Sequence, residues 1–359
     1  MADLSSFSSS YQEAREKFLD AAGAQAAHER HPLKGPAGEA LFLDVAVLGP
    51  RDASRVFAVG CGTHGIEGYP GSAALTHWMR SGGAKRLPPD TAVVFLHAHN
   101  PWGFAHKTRV TEDNVDLNRN FVDFAAPLPA NPGYREVHPL ITPDTWDESS
   151  VQRAFERLAE YRARVGEQAF SDAFNGGQYS HADGVYFGGA REQWSNQAFR
   201  SAVKRHFAAA RKVAFIDLHT GIGPRYGHIY LCFHPQGSPG YERARAWWGE
   251  RAVNREGVTH KALAVYKGLL IDAFEAMLPK AELTTLVVEF GTLPREGVQR
   301  AALLQRWLRF RGAHDPGRAQ SLLPEYEEAY YPSEPRWREA ALEQSFEILE
   351  RGVRGISSS

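Results

Sequence analysis

Short apolar segments alternate along the chain with longer segments whose apolar residues recur at helical spacing. The strand-like segments lie at 41–47, 56–59, 92–96, 213–218, 229–233 and 284–290. The helix-like segments lie at 9–27, 71–81, 151–170, 196–210, 240–254, 295–311 and 337–351. Alternation of this kind is typical of a sheet flanked by helices. The pattern therefore predicts an α/β fold.

One stretch, 122–148, interrupts this alternation because it holds many prolines and little periodicity. Such a stretch is typical of a long surface loop or insertion, and a domain boundary is the alternative. The candidate site residues described below fall on both sides of it and would have to converge. We therefore predict a single catalytic domain over residues 1–359, with a loop insertion around 122–195.

Composition and charge narrow the class of protein. With 359 residues, 43% of them hydrophobic, the chain can bury a large core. A formal charge of −1 gives no general attraction to nucleic acid or anionic lipid. The polar start and the absence of a long apolar run give no sign of a signal peptide or a membrane span. The presence of only two cysteines, Cys61 and Cys232, favours a reducing compartment. We expect a cytoplasmic protein that binds neither nucleic acid nor membrane, and its oligomeric state stays open.

The most informative local motif is His64-Gly65-Ile66-Glu67, which follows the apolar segment 56–59. An imidazole and a carboxylate at this spacing can bind one metal ion. Chance also produces such pairs, so a metal site needs further ligands elsewhere in the chain.

Two residues break the pattern of otherwise apolar strands. His219 ends the segment 213–218 and precedes a glycine, which places its ring at the carboxyl end of the sheet, where sites of open α/β folds collect. Glu289 lies within 284–290, where a carboxylate is costly unless it is paired, bound to metal or used in proton transfer. A packed histidine and a salt-bridged glutamate remain the alternatives.

A polar cluster lies between the His64 motif and the segment 213–218 and contains Arg109 and the segment 114–121. Its asparagines favour turns, and an arginine in such a turn is often solvated. Arg109 and Arg119 could instead hold a substrate carboxylate and a developing oxyanion.

Together these segments resemble the zinc carboxypeptidase superfamily, in particular a bacterial branch related to aspartoacylase and succinylglutamate desuccinylase-type deacylases. The resemblance covers about residues 40–310. It is carried, in the family's order, by His64-Gly-Ile-Glu67, Asn100-Pro-Trp-Gly103, Val115-Asp-Leu-Asn-Arg-Asn-Phe121, His219 and Glu289. It implies a mostly parallel, mixed eight-stranded sheet with helices on both faces. It also implies one Zn²⁺ per chain, held by His64, Glu67 and His219.

The resemblance also implies roles for other residues. Glu289 would be the general base, and Arg109 would stabilise the tetrahedral oxyanion. Asp116 matches the acid that orients the zinc ligand His64. Asn118 and Arg119 match the positions that bind a terminal carboxylate. Tyr266 lies near the place of the family's mobile tyrosine, without a local motif to support it.

The function implied is a zinc-dependent hydrolase that cleaves an amide bond next to a free carboxylate. A metallocarboxypeptidase acting on short peptides is the first hypothesis. The sequence Asp217-Leu-His-Thr-Gly221 looks more like the deacylase side of the superfamily, so an N-acyl amino acid deacylase is the alternative. A non-catalytic carboxylate-binding module is a third and weaker alternative.

The sequence gives less support to a dinucleotide site, a cysteine nucleophile or a serine hydrolase site. Gly60-Cys-Gly-Thr-His-Gly65 fits the dinucleotide fingerprint, but no acidic residue ends a second strand about 20 residues later. Cys61 could pair with a histidine as a nucleophile, yet a small residue packed in the turn explains it as well. No G-x-S-x-G elbow of a serine hydrolase occurs.

Overall fold

The structure, a computed structural model, describes residues 4–23, 26–249, 252–254 and 264–358. Its strands are β1 Ala26–Lys34, β2 Ala40–Leu48, β3 Arg55–Cys61, β4 Thr91–His97, β5 Lys212–Gly221, β6 His228–Cys232, β7 Ala252–Asn254 and β8 Glu282–Gly291. Its α-helices are α1 Tyr11–Ala22, α2 Gly68–Arg80, α3 Pro101–Ala105, α4 Tyr134–Val137, α5 Glu148–Val165, α6 Glu167–Asn175, α7 Trp194–His206, α8 Pro239–Trp248, α9 Leu270–Met277, α10 Arg295–Phe310, α11 Pro316–Tyr330 and α12 Pro335–Ser358. Short 3₁₀ turns include Gly65–Glu67 and Leu117–Arg119.

The strands form one sheet in the order β1-β2-β4-β3-β5-β8-β6-β7. The central strands β4, β3, β5 and β8 run parallel to one another. Strands β1, β2 and β6 pair with their neighbours in antiparallel fashion, with β7 parallel to β6 at the edge. The predicted mixed eight-stranded sheet is confirmed.

Helices cover both faces of this sheet because alternate side chains of each central strand point to opposite sides. In β3, Phe57 belongs to a core cluster with Trp78 of α2. Its neighbour Val56 belongs to another cluster with Phe199 of α7. Buried on both faces, the central strands have the continuous apolar sequences that make them recognisable.

Two predicted helices are wrong at their carboxyl ends. Helix α1 ends before Gly23 and is followed by β1, so the segment 9–27 is not one helix. The segment 240–254 likewise contains the end of α8, at Gly249, and then β7. Both glycines have a positive φ, 62° and 90° respectively, a conformation that ends a helix at little cost only for glycine.

The proline-rich stretch 122–148 differs from the predicted surface loop. It contains α4, and its residues Tyr134, Ile141 and Trp146 are fully or almost fully buried. These side chains belong to a core cluster that also includes Trp307 of α10. The stretch is irregular because its prolines interrupt helices, yet its aromatic and aliphatic side chains fix it to the body of the protein.

The length and polarity of the helices show whether any of them could span a membrane. Within the described ranges, every helix is too short or too polar to cross a bilayer.

Candidate active site

The candidate site lies at the carboxyl ends of the parallel strands β3, β5 and β8. His64 and Glu67 come directly after β3, in the turn that leads into α2. His219 and Glu289 are paired positions of the neighbouring strands β5 and β8. Residues more than 200 positions apart in the sequence therefore meet at one sheet edge, as open α/β folds require.

Glycine is required within the His64–Glu67 motif itself. A Cβ at Gly65 would lie 2.1 Å from the carbonyl carbon of Gly103 and 2.4 Å from Thr108 O. The bare backbone therefore lets the turn touch the loop 103–108, and Ile66 N donates to Thr108 O at 3.1 Å. This contact brings the next residue of the loop, Arg109, beside Glu67.

Three donor atoms converge at the centre of the site. His64 Nδ1 and His219 Nδ1 lie 3.2 Å apart, and each lies 3.2 Å from a carboxylate oxygen of Glu67. Ligand atoms bound tetrahedrally to Zn²⁺ at about 2.1 Å lie about 3.4 Å from one another. The spacing and the two-histidine, one-glutamate donor set therefore fit a zinc ion.

Carboxylates behind the two histidines fix their orientation. His64 Nε2 lies 3.0 Å from Asp116 Oδ1, and His219 Nε2 lies 2.6 Å from Asp217 Oδ2. Each carboxylate favours a proton on Nε2, which leaves the Nδ1 lone pair directed at the centre. The structure thus places Asp116 beside His64, as the resemblance implies, and it adds Asp217, which the sequence reasoning does not identify.

Asp217 is itself held by a buried pair of residues. Thr63 Oγ1 donates to Asp217 Oδ2 at 2.7 Å and lies 2.9 Å from His99 Nδ1. Burial lowers the pKa of His99 to about 4, so this imidazole is neutral at pH 7. Because the Thr63 proton goes to Asp217, His99 Nδ1 must donate to the threonine oxygen.

Gly60 provides the space for the His99 ring, since a Cβ there would lie 2.3 Å from His99 Cε1. We expect Gly60→Ala to lower the free energy of unfolding by about 2 kcal/mol, because the ring is enclosed and the strand cannot move away. Urea denaturation of both proteins measures this difference.

The matched control is Gly317→Ala in the first turn of α11, where the nearest atom to an added Cβ is Asp315 Oδ1 at 4.0 Å. This change should alter the free energy of unfolding by no more than about 1 kcal/mol. Equal stabilities of the two variants would contradict the tight packing at Gly60.

The Glu289 carboxyl group is buried and faces the same centre. Only 8% of the residue is exposed, and Ile222 N donates to Oε2 over a long 3.5 Å. Burial raises the pKa of Glu289 to about 7, with a further contribution from the Glu67 carboxylate. A carboxyl group with a pKa near neutrality can both accept and release a proton.

Arg109 contacts the donor atoms directly. Its Nε donates to Glu67 Oε1 at 2.8 Å, and its Nη2 lies 2.9 Å from His64 Nδ1. The guanidinium lies 5.2 Å from the ring centre of Tyr330 and 5.8 Å from that of Tyr186. Burial opposes its charge, but the Glu67 carboxylate holds the pKa of Arg109 well above the ordinary value. A permanent positive charge therefore lies beside the centre.

The second arginine, Arg119, is fixed by backbone carbonyls. Its Nη1 donates to Asn118 O at 2.8 Å and its Nη2 donates to Asn175 O at 2.9 Å. Its buried Nε has no hydrogen-bond partner among the described residues. The ring of Tyr266 lies 4.7 Å from the guanidinium carbon. Within the described part of the chain Arg119 forms no ion pair, although its charge lowers the pKa of the nearby Asp116 carboxyl after the larger effect of His64. The absence of a direct carboxylate partner suits it to an anionic ligand.

One cavity of about 100 Å³ lies at the centre of the candidate site. Its lining includes His64, Arg109, Asn118, Arg119, His219, Tyr266 and Glu289, together with Asn175, Tyr186, Thr220, Ile222, Leu231, Phe233, Leu269, Val287, Val298 and Tyr330. Glu67 and Asp116 contact the lining histidine and arginine from behind. The structure thus brings together every candidate site residue named from the sequence.

Several lining residues were not candidates, above all Tyr186. Its ring lies 5.8 Å from both guanidinium carbons, of Arg109 and of Arg119. Its φ is +52°, an unfavourable value for a bulky residue, and such conformations often occur at functional sites. No local sequence pattern marks Tyr186, because it enters the cavity from the loop before α7.

The sequence profile of a family described as "Protein of unknown function (DUF2817)" matches residues 7–344. The chain belongs to the DUF2817 family. Among curated proteins, no sequence matches this DUF2817 chain.

Solved structures with a similar fold include a carboxypeptidase and a fibrinolysis inhibitor. Carboxypeptidase A from Helicoverpa armigera matches with a TM-score of 0.54 and 13% identity, over 99% of this chain and 75% of that chain. Bovine thrombin-activatable fibrinolysis inhibitor, in complex with tick carboxypeptidase inhibitor, matches with a TM-score of 0.52 and 10% identity, over 99% of both chains. A candidate succinylglutamate desuccinylase/aspartoacylase family protein from Shewanella amazonensis SB2B shares 17% identity over 80% of this chain and 72% of that chain. Its TM-score of 0.38 is too low to support a comparison. The DUF2817 chain therefore has the carboxypeptidase-like fold.

Proposed function

We propose that this protein is a zinc-dependent hydrolase that cleaves an amide bond next to a free carboxylate, and that its substrates are short peptides with a free carboxyl terminus. The observation that carries the proposal is one cavity lined by two converging metal donors, with the third directly behind them, a buried carboxyl group and an arginine that forms no ion pair among the described residues. A base, an anion site and a metal site within one small cavity match the requirements of such a reaction.

Cleavage of the scissile bond needs an activated water and a group that transfers its proton. When bound to His64, Glu67 and His219, zinc supplies a Lewis acid and makes water nucleophilic near neutral pH. Glu289 takes a proton from the attacking water and later gives it to the leaving amine, a double role that a pKa near 7 supports. Thr63 and His99, acting through Asp217, keep the His219 ring in place during this exchange.

The two arginines act on different parts of the substrate. Arg109 lies beside the metal donors and stabilises negative charge that develops on the scissile carbonyl oxygen. Arg119 binds the substrate carboxylate with its guanidinium group, with Asn118 beside it in the lining. The Tyr186 ring lies 5.8 Å from each guanidinium carbon, so one aromatic side chain adjoins both groups.

The second candidate is an N-acyl amino acid deacylase. The small volume of the cavity, about 100 Å³, favours it because few atoms fit beside a carboxylate and an amide. The buried Asp217–His219 pair, part of the deacylase-like sequence segment, is a further observation in its favour. A non-catalytic carboxylate-binding module is the third candidate, but it would gain nothing from a buried Glu289.

The direct test is to incubate the zinc-loaded protein with short peptides and N-acyl amino acids and to follow products by mass spectrometry, with Glu289→Gln as the control. Release of C-terminal residues from peptides supports the carboxypeptidase proposal. Cleavage of acyl amino acids alone supports the deacylase. Binding of these compounds without turnover would overturn both and leave the binding module.

Kinetics of two arginine variants separate binding from catalysis. We expect Arg119→Ala to raise KM by about 30-fold, corresponding to the loss of about 2 kcal/mol from a charge-assisted hydrogen bond. We expect Arg109→Ala to lower kcat by about 100-fold or more, because its contribution grows only as the oxyanion forms. Steady-state kinetics on one substrate measure both effects.

Arg191→Ala is the control for these variants, because this arginine is 76% exposed and pairs with Asp113 at the surface. Its kcat and KM should match those of the wild type. A rise in KM of similar size in both Arg109→Ala and Arg119→Ala, with kcat unchanged, would contradict the separate roles.

A further inference from the structure

A second and larger cavity adjoins the catalytic one. Its volume is about 520 Å³, compared with about 100 Å³ for the catalytic cavity. The two cavities share wall residues, namely Asn175, Tyr186, Ile222, Leu231, Tyr266 and Val298. A substrate bound at the metal donors can therefore extend into the larger space.

The residues that line the larger cavity alone include three apolar side chains, Ile229, Leu293 and Pro294, together with Ser171, Gln299 and Arg295. The shared wall adds the apolar side chains of Ile222, Leu231 and Val298. Arg295 is the charged residue among the described residues that line it, and its Nη1 already donates to Glu167 at 3.1 Å. At the shared wall, Ile222 leaves 48% of its surface exposed, unusual for a large aliphatic residue. Such a surface favours an apolar ligand group over an anionic one.

The position of this cavity relative to the reacting groups indicates which part of a substrate would fill it. Gly221, two residues after His219, ends β5 and is followed by Ile222, and Leu293 follows β8, the strand of Glu289. These walls therefore continue from the metal and the base. Asn118 and Arg119 line the catalytic cavity but not the larger one, so the carboxylate site lies on the catalytic side of the shared wall. Asn175 and Tyr266, which contact Arg119, belong to that wall.

We propose that the larger cavity binds an apolar group attached to the carbonyl side of the scissile amide, which is an acyl chain or an apolar side chain of the preceding residue. This inference rests on the proposed function, since it names the substrate class of the same site. The catalytic cavity is too small to hold such a group in addition to the carboxylate and the amide. The group that fills the second cavity then selects the substrate.

The test compares N-acetyl-, N-pentanoyl- and N-succinyl-leucine as substrates of the zinc-loaded protein. Each methylene that becomes buried increases affinity for the transition state roughly fourfold, so kcat/KM should rise at least tenfold from acetyl to pentanoyl. Succinyl has a similar length but ends in a carboxylate. The kcat/KM of N-succinyl-leucine should therefore be at least tenfold lower than that of N-pentanoyl-leucine. A succinyl preference would overturn the proposal.

A pair of matched variants links the preference to the cavity. Leu293→Asp places a carboxylate in the wall of the larger cavity and should reduce the pentanoyl-to-acetyl ratio of kcat/KM to about 2 or less. Leu33→Asp makes the same change at a side chain that is 46% exposed on β1 and should keep the wild-type ratio. A Leu293→Asp ratio equal to that of Leu33→Asp would contradict the assignment.

Binding to Glu289→Gln, measured by calorimetry, separates this inference from the proposed function. Tighter binding of pentanoyl- than of acetyl-leucine, without hydrolysis by the wild type, would overturn the hydrolase and retain the apolar cavity. Hydrolysis with equal kcat/KM and equal affinities would retain the hydrolase and overturn the apolar cavity. Absence of both binding and hydrolysis would overturn this inference, and it would overturn the hydrolase as well if short peptides also stay intact.

Discussion

Replacement of Glu289 by glutamine is expected to lower kcat by about 1,000-fold while leaving the metal content at the wild-type level. The amide has nearly the shape of the carboxyl group, so the cavity should keep its form, but it cannot accept a proton from water. General acid–base catalysis by one well-placed group contributes about 10² to 10⁴ in rate. Steady-state kinetics and metal analysis of the same preparations measure both quantities.

Glu282→Gln is the matched control, because Glu282 begins the same strand but its side chain is 41% exposed and pairs with Lys212. The control should keep full activity. Activity of Glu289→Gln within about threefold of the control would exclude Glu289 as the base. Loss of metal in Glu289→Gln would instead show that the residue maintains the metal donors.

Much of the site could be predicted from the sequence because its key residues stand next to recognisable strands. His64, His219 and Glu289 each follow or interrupt an apolar segment, and parallel strands bring their carboxyl ends to one edge. Asp217 could have been found, because it lies two residues before His219 in the same strand and faces its Nε2. The His99–Thr63 contact joins separate loops and has no sequence signal.

The central sheet was predictable for a physical reason that does not apply at its edges. Strands β3, β4, β5 and β8 are buried on both faces, so their sequences are continuously apolar. Strand β1 is mostly exposed and contains charged residues, so only its backbone pairing with β2 identifies it. Strand β7 has three residues, too few to show any periodicity.

The predicted insertion around 122–195 has a functional part that its composition does not reveal. Asn175, at the end of α6, and Tyr186, in the following loop, both line the catalytic cavity. Asn175 O also accepts from Arg119, so the insertion fixes the Arg119 side chain. These contacts place part of the insertion in the wall of the cavity.

Replacement of His219 by alanine is expected to reduce metal affinity by about 100-fold or more. Substitution of a residue that only orients a metal ligand commonly costs 10- to 100-fold in affinity, and His219 supplies one of the three converging donor atoms itself. Metal analysis after dialysis against a defined zinc buffer measures the loss. Asp217→Asn, which leaves the donor in place but weakens its orientation, should give a smaller loss of about tenfold.

His314→Ala provides the control, because His314 is an exposed residue in the turn before α11. A His219→Ala protein that stays fully loaded would exclude His219 as a ligand. His219 and Glu289 are paired across β5 and β8, so damage to the sheet edge would affect both variants alike. Loss of metal in His219→Ala, together with retention of metal and loss of turnover in Glu289→Gln, would therefore assign ligand and base to two neighbouring positions, because damage to the shared sheet edge would remove metal from both variants.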